Sequence, residues 1–355
     1  MARNRAFLEC MVPPDCRRHL VLRSTPWQKI KSAARLNLEF LTLRGERVFI
    51  NYSAITSLTV FSKLAMVPFF AGFISMMLTS FSKRNEVFIE VNDLPYEQSR
   101  DLGLPPIDHQ TLDRVVFSDP RAHFIFAASR MRDYVVEAYG VPLSRTSVLI
   151  NGGPQLPTQS ESSVQQTKED VLKFVYAGTM HRGRQIEAML NTFSGSDHEL
   201  YLCGQGGEWL RECADHLTNV HYLGPLEEAD AHKLVSECDC GLIPYDEKLS
   251  YLKIVFPIKA SFYITAGIPF LSTKIPELVD HFSDSAIFAP IDQWGAFLGD
   301  TDLPHLIREL RDNSRLKQHH YEWRSIIDRW FSGDELGGSE TIPLVSSVDH
   351  PESIR

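Results

Sequence analysis

The sequence has no excess of positive charge and no regular cysteine spacing. Its 355 residues carry 36 Lys and Arg against 45 Asp and Glu, a net charge of −9. A broad nucleic-acid-binding surface needs clustered cations that outweigh the acids, so that class of partner is excluded. The 6 cysteines lack the spacing of a secreted disulfide scaffold, and the N terminus lacks a cleavable signal pattern. We therefore expect a cytoplasmic protein in which any anion site is local.

The sequence also lacks an uninterrupted membrane-spanning run. Residues 55–81 form the most apolar segment, but Lys63 and Pro68 interrupt it and several hydroxyl side chains dilute it. Two interpretations remain. The segment is a helix buried on the first sheet, or a helix whose apolar face enters a bilayer interface beside Lys63, Lys83 and Arg84. The second interpretation predicts a peripheral contact at the inner face of the membrane.

The length of the chain favours two domains, because 355 residues exceed the usual size of one hydrophobic core. Residues 155–168 are polar and rich in Ser and Gln, which predicts a flexible linker. We expect an N-terminal domain over residues 1–154 and a second domain over residues 169–304. A long amphipathic helix is predicted over residues 305–331, and residues 332–355 are predicted to be a disordered tail.

In the first domain, residues 17–52 predict strand, helix and strand. Ser24 and Thr25 stand before Pro26, the arrangement of a helix cap followed by proline at the first helical position. Further along, Ser129 is predicted to cap a helix over residues 130–139. The domain thus alternates strands with helices, as parallel α/β sheets do.

A strand predicted over residues 86–91 ends at a loop that carries Asp93 and Glu97. Loops at the carboxyl ends of parallel strands hold ligand groups on a rigid scaffold, so both carboxylates are candidate ligand contacts. The alternative for Asp93 is an Asx turn, in which the side chain bonds its own backbone and needs no ligand.

The second domain is organised around residues 236–273. An apolar run over 240–244 predicts a buried parallel strand, residues 257–266 predict a helix, and residues 270–272 predict another strand. Lys259 would then lie in the first turn of the helix, where helix electrostatics favour an anion over a cation. This position predicts an anionic ligand near Lys259, the alternative being a solvated surface lysine.

A second basic cluster lies between a predicted strand over 172–177 and a predicted helix over 185–193. Gly178 and Gly183 flank it, and glycines beside cations at a helix N terminus form an anion-binding loop. Arg182 or Arg184 would supply the charge; we favour Arg182 because it lies directly before Gly183. The alternative is a solvated basic turn.

A resemblance to a known family appears in the helix that carries Lys259. The residues that carry it are Pro257-x-Lys259-x-Ser261-Phe262-Tyr263-x-x-Ala266-Gly267-Ile268-Pro269. This segment resembles the donor-site signature of GT-B glycosyltransferases, most closely the bacterial galactofuranosyl- and glucosyltransferase group. The resemblance implies an α/β fold with two Rossmann-like domains that face an interdomain cleft, and it implies that Lys259 lies at the donor diphosphate. It also implies that the helix at residues 305–331 crosses back to the first domain. Family-4 retaining enzymes carry paired glutamates here, where this chain has Ile254 and Phe262.

The resemblance covers residues 86–282 well and implies roles for further residues. On the donor side these are Arg182 or Arg184, Gly178, Gly204, Tyr222 and Tyr245. On the acceptor side they are Asp93, Glu97 and Thr25, which stands where most members have a glycine-rich loop. Asp93 is the candidate catalytic residue, since it is the only acid visible at a suitable strand end.

The expected activity is transfer of a sugar from a nucleotide diphosphate-sugar to a saccharide or lipid-linked acceptor, in polysaccharide or glycan synthesis. No cofactor or metal is expected. Asp300-Thr301-Asp302 superficially matches a metal-binding D-x-D motif, but no predicted strand leads into it. Two alternatives remain open, a binding-only subunit of a transferase complex and a sugar-nucleotide epimerase.

Overall fold

The computed structural model describes residues 25–58, 67–101, 109–155, 171–180, 184–210 and 217–333, together with Arg3, Ala6, Glu9 and Cys10. Several predictions lie outside these residues. They concern the strand predicted before residue 24, Ser24, Lys63, Arg182, and most of the linker and the tail.

The first lobe is a parallel sheet with its flanking helices. Its elements are α1 Pro26–Thr42, β1 Arg47–Asn51, α2 Tyr52–Ile55, α3 Pro68–Ser82, β2 Glu86–Val91, α4 Pro95–Asp101, α5 His109–Phe117, β3 His123–Phe126, α6 Ser129–Tyr139 and β4 Thr146–Val148. The strands pair in the order β1-β2-β3-β4, all parallel. Side chains on both faces of β2 are buried, which explains its nearly continuous apolar sequence.

The second lobe is a larger parallel sheet with its helices. Its elements are β5 Lys173–Ala177, α7 Ile186–Phe193, β6 Glu199–Cys203, β7 Val220–Gly224, α8 Glu228–Ser236, β8 Cys240–Ile243, α9 Ile258–Thr265, β9 Phe270–Ser272, α10 Pro276–Phe282, β10 Ala286–Phe288, α11 Trp294–Leu298 and α12 Leu303–Lys317. The strand order is β10-β9-β8-β5-β6-β7. The chain therefore builds outward from β5 on one side and then from β8 on the other, which is the Rossmann order.

The central elements predicted from residues 236–273 are confirmed. The structure has β8, α9 and β9 where the apolar run, the helical spacing and the second apolar run predict strand, helix and strand. All four residues of β8 are buried. Gly267 ends the helix with a positive φ of 78°, a conformation that glycine adopts without strain.

The prediction of one helix over residues 305–331 is wrong, because the structure has two. Helix α12 ends at Lys317, and α13 Trp323–Ser332 begins after an extended residue, Glu322. The N–H of Gly153 donates to the carbonyl of Tyr321 at 2.9 Å, and the N–H of Trp323 donates to the carbonyl of Gly153 at 3.0 Å. Backbone groups that would continue the helix thus bond to a distant glycine instead.

Helix α13 lies against the first lobe. The ring of Trp330 meets Phe88 of β2 edge-on, with 6.3 Å between the ring centroids. Trp323 packs so closely on Gly152 that a Cβ at that glycine would lie 2.9 Å from the indole ring. The last helix that the structure describes therefore packs against the first lobe.

The prediction that Ser129 caps α6 is also wrong. Ser129 is the first residue of the helix, and Ala128 before it offers no side-chain hydrogen bond. The N–H groups of Ser129 and Arg130 donate instead to the carboxylate of Glu277, at 2.5 and 3.4 Å. A side chain of the second lobe therefore caps a helix of the first.

The apolar segment at residues 55–81 contributes to the core and to the surface. Ile74 and Leu78 of α3 are fully buried, whereas Phe69 on the same helix is 79% exposed. No helix among the described residues is long and apolar enough to cross a membrane.

Candidate functional site

The carboxyl ends of β5 and β8 lie side by side where the strand order of the second sheet reverses. Gly178 follows β5 directly, and Tyr245 follows β8. Helix α9, which carries Lys259, begins after the loop that leaves β8. Open α/β sheets bind ligands in the crevice at such a point, because the loops diverge there and helix N termini face it. The topology therefore brings three of the predicted donor-side residues to one place.

Lys259 is buried at this crevice, with only 8% of its surface exposed. Its ammonium donates to the Tyr245 hydroxyl at 3.1 Å and lies 5.1 Å from the ring centroid of Tyr176. No carboxylate within the described residues forms an ion pair with Lys259. The alternative of a solvated surface lysine is therefore wrong, and an ammonium buried without an anionic partner is costly unless a ligand supplies one.

Arg184 places a second cation beside the first. Its guanidinium carbon lies 4.0 Å from the ring centroid of Tyr245, the geometry of a cation–π contact. Burial raises the pKa of the Tyr245 hydroxyl, but the neighbouring Lys259 and Arg184 cations outweigh it and lower that pKa. Of the two arginines that the sequence leaves open, the structure places Arg184 here, whereas Arg182 lies outside the described residues. The crevice is thus strongly electropositive.

Two glycines make room for this arrangement. A Cβ at Gly178 would lie 2.4 Å from Cε and 2.6 Å from Nζ of Lys259, so any side chain there would displace the lysine. A Cβ at Gly204, after β6, would lie 1.8 Å from the carbonyl oxygen of Gly178. Tyr222 adjoins this turn, since its hydroxyl donates to the carbonyl of Gly204 at 3.1 Å. Both glycines are therefore required by close approach within the site itself.

Asp93 of the first lobe lies near one of these cations, Arg184. It is solvent-exposed in the loop after β2, and the Tyr251 hydroxyl of the second lobe donates to its Oδ1 at 2.7 Å. Burial by the surrounding protein raises the pKa of Asp93, while the Tyr251 hydrogen bond and the charge of Arg184 lower it, leaving it raised overall. The Tyr251 hydrogen bond places Asp93 where the two lobes meet, and the effect of Arg184 on its pKa places that guanidinium nearby. Asp93 therefore shares one cleft with Arg184.

The structure does not bring the other predicted acceptor-side residues to this cleft. The carboxylate of Glu97 is buried inside the first lobe, where it accepts the hydroxyls of Tyr134 and Tyr139 at 2.9 and 3.1 Å. The hydroxyl of Thr25 accepts the N–H of Gln28 at 3.4 Å and caps α1. Both positions favour structural roles.

Sequence reasoning missed two tyrosines of the site. Tyr176 is fully buried in β5, where its hydroxyl donates to the carbonyl of Thr179 at 2.8 Å and its ring faces Lys259. Its place two residues before Gly178 was the available signal. Tyr251 lies in the loop between β8 and α9, where no residue pattern indicates its contact with Asp93.

The positions that carry paired glutamates in family-4 enzymes are apolar here and packed against the core. Ile254 and Phe262 are both partly buried. The ring centroid of Phe262 lies 4.9 Å from that of His232. These side chains offer no hydrogen bonds to a sugar or ribose. The described residues also hold no group of three or more His, Cys, Asp or Glu side chains that could bind a metal ion.

No protein-family model matches the chain, and no curated protein shows significant similarity to it. Solved structures do resemble it. Sucrose-phosphate synthase from Thermosynechococcus elongatus superposes with a TM-score of 0.62 at 13% identity, over 86% of this chain and 77% of that one. HepE from Anabaena, in complex with UDP-glucose, gives 0.61 at 11% identity, over 84% and 80%. A Listeria monocytogenes protein assigned as a UDP-N-acetylglucosamine 2-epimerase gives 0.51 at 11% identity, over 94% and 84%.

These similarities establish the fold. The chain has two Rossmann-like parallel sheets and the GT-B architecture, as the sequence resemblance predicts. At this level of identity they leave the activity to be argued from the site.

Proposed function

We propose that the chain transfers a sugar, most simply a hexose, from a nucleotide diphosphate-sugar to a hydroxyl of a saccharide or lipid-linked acceptor. One observation carries the proposal. Lys259 is buried at the switch point of the second sheet beside Arg184, with no carboxylate of the described residues paired to it. A diphosphate has the charge and the size to neutralise two cations so placed.

The chemistry follows from where charge develops. When the bond between sugar and diphosphate breaks, negative charge grows on the leaving diphosphate. Lys259, Arg184 and the N terminus of α9 would stabilise that charge, which allows the reaction to proceed without a metal or other cofactor. Asp93, on the opposite wall, would bind the acceptor hydroxyl and assist its deprotonation. The two lobes, which we assign to residues 1–154 and 169–304, would close over the bound substrates. This closure would exclude water, which otherwise competes with the acceptor for the sugar.

The proposal is tested with a panel of nucleotide sugars, with and without acceptors. UDP-hexoses come first, because HepE, of similar fold, was solved with UDP-glucose, and because the Lys259 segment resembles galactofuranosyl- and glucosyltransferases. Transfer that is lost in Lys259→Ala supports the proposal. Donor binding without transfer or hydrolysis would indicate the binding-only subunit, and interconversion of free donors would indicate an epimerase.

We further propose that the acceptor is lipid-linked and that the first lobe rests on the membrane that holds it. Helix α1 exposes apolar side chains at helical spacing, and Trp27 is 80% exposed. The neighbouring helix α3 exposes Phe69. Two lysines near these side chains in the sequence are also exposed. Lys31 lies in α1, and Lys83 directly follows α3. Aromatic side chains with flanking lysines suit an interface with anionic lipids.

Liposome flotation tests this contact. The wild-type protein is expected to float with vesicles that contain anionic lipid and to remain in solution with purely zwitterionic ones. A Trp27→Ser, Phe69→Ser double variant should lose flotation, while Leu316→Ser, at another exposed apolar side chain on α12 of the second lobe, should not. A wild-type protein that stays in solution with anionic vesicles would contradict the proposal.

A further inference from the structure

Tyr251 extends from the second lobe into the first. It lies in a 3-10 turn, Ser250–Lys253, within the loop between β8 and α9, and only 6% of it is exposed. Its hydroxyl donates to Asp93 Oδ1 at 2.7 Å and accepts the N–H of Leu94 at 3.3 Å. Its own N–H donates to the carboxylate of Asp101. Three groups of the first lobe therefore hold one residue of the second.

We propose that Tyr251 is a positioning residue, which holds the Asp93 carboxylate toward the acceptor hydroxyl when the two lobes are closed. The inference rests on the proposed function, because it places Asp93 at the acceptor. The Leu94 N–H donates to the Tyr251 hydroxyl oxygen and thereby fixes the orientation of the hydroxyl. The hydroxyl proton is then directed at Asp93 Oδ1, and the other carboxylate oxygen of Asp93 stays open to the cleft. Since the hydroxyl comes from the opposite lobe, this orientation exists only in the closed arrangement.

The effect on reaction rate follows from geometry. An exposed aspartate in a loop samples several rotamers, and a misplacement of about 1 Å at a reacting group costs rate heavily. The free energy of a hydrogen bond to a charged group exceeds the entropy cost of holding the side chain in one rotamer. The loop between β8 and α9 carries Tyr251 and also leads into the helix of Lys259. In the closed arrangement this one loop therefore serves both donor binding and the orientation of the Asp93 carboxylate.

The charged and titratable groups around Asp93 include Arg184, Tyr245 and Tyr251 of the second lobe, and Glu90 and Arg3 near it in the first. The Tyr251 hydrogen bond lowers the pKa of Asp93. Removing the hydroxyl should therefore raise that pKa further, and the acidic limb of a kcat profile that needs ionised Asp93 should move to higher pH.

The test compares Tyr251→Phe with Tyr134→Phe. Both remove a hydroxyl that donates to a carboxylate, but Tyr134 bonds Glu97 within the first lobe. We expect kcat of Tyr251→Phe to fall about tenfold, with the Kd for UDP changed by less than about twofold. If Tyr251 acts through Asp93, Tyr251→Phe should reduce kcat by a smaller factor in an Asp93→Asn background than in the wild type. Tyr134→Phe should move neither kcat nor the acidic limb.

Spin labels on unnatural amino acids at the exposed positions Ser118 and Asp302 report the lobe arrangement independently of activity. Their distance distribution should broaden in Tyr251→Phe relative to Tyr134→Phe and wild type. An active wild type with unchanged kcat, pH profile and label distances in Tyr251→Phe would overturn the inference and leave the transferase function standing. A wild type without transfer or hydrolysis would remove the proposed function, and unchanged label distances would then refute the interlobe contact as well.

Discussion

Replacing Lys259 by methionine should separate ligand binding from fold stability. Methionine keeps the length and most of the apolar volume of the side chain but removes the ammonium. A charge-assisted contact with phosphate contributes about 1.5–3 kcal/mol, so the Kd for UDP should rise about 10- to 150-fold. The ammonium is buried and no described carboxylate pairs with it. Its removal should therefore leave the free energy of unfolding of the unliganded protein unchanged within about 1 kcal/mol, or raise it.

Isothermal titration calorimetry with UDP and urea unfolding measure the two quantities. The matched control is Lys253→Met, an exposed lysine in the loop before α9, for which neither quantity should change. A Kd within about twofold of the wild-type value would refute the assigned role. So would a loss of more than about 3 kcal/mol of unfolding free energy, because Lys259 would then stabilise the fold.

Two further predictions concern stability. Glu277→Gln should lower the free energy of unfolding by about 1–2 kcal/mol, because the carboxylate caps α6 from the other lobe; the exposed Asp280→Asn should change it by less than about 0.5 kcal/mol in the same urea titration. Burial lowers the pKa of His123, His232 and His281 to about 4. These imidazoles stay neutral in the folded protein but bind protons in the unfolded chain below about pH 6.5. The free energy of unfolding should therefore be highest above about pH 6.5 and fall toward pH 4, by up to about 3 kcal/mol for each residue. Urea midpoints that do not differ between about pH 7.5 and about pH 5 would contradict this.

The elements that sequence predicts well are those defined by local signals. The strand β8 is an uninterrupted buried run, and α9 is bounded by Pro257 and by Gly267, which must adopt a positive φ. The electrostatic mismatch of Lys259 is also local, because it depends only on the position of the residue in the first helical turn. Such signals require no knowledge of distant partners.

The features that sequence does not predict depend on partners far along the chain. The helix predicted over residues 305–331 breaks because Gly153 pairs with the backbone on both sides of Glu322. Glu97 lies in the interior because the hydroxyls of Tyr134 and Tyr139 approach it from α6. Hydrophobic periodicity and secondary-structure propensity are local properties, so they do not predict contacts with distant residues.

The position of Arg184 depends on a distant partner even within one loop. Arg182 and Arg184 both lie between β5 and α7 in the sequence, and spacing alone does not show whether either reaches the second strand of the switch point. Arg184 stacks on Tyr245, which belongs to a loop that follows a different strand, whereas Arg182 lies outside the described residues.

A crystal structure of the protein with UDP tests the central claim most directly. We predict diphosphate oxygens within about 3 Å of Lys259 Nζ and of the Arg184 guanidinium, at the adjoining ends of β5 and β8. A nucleotide bound elsewhere, with the Lys259 ammonium still bonded to Tyr245 and remote from phosphate, would contradict the account.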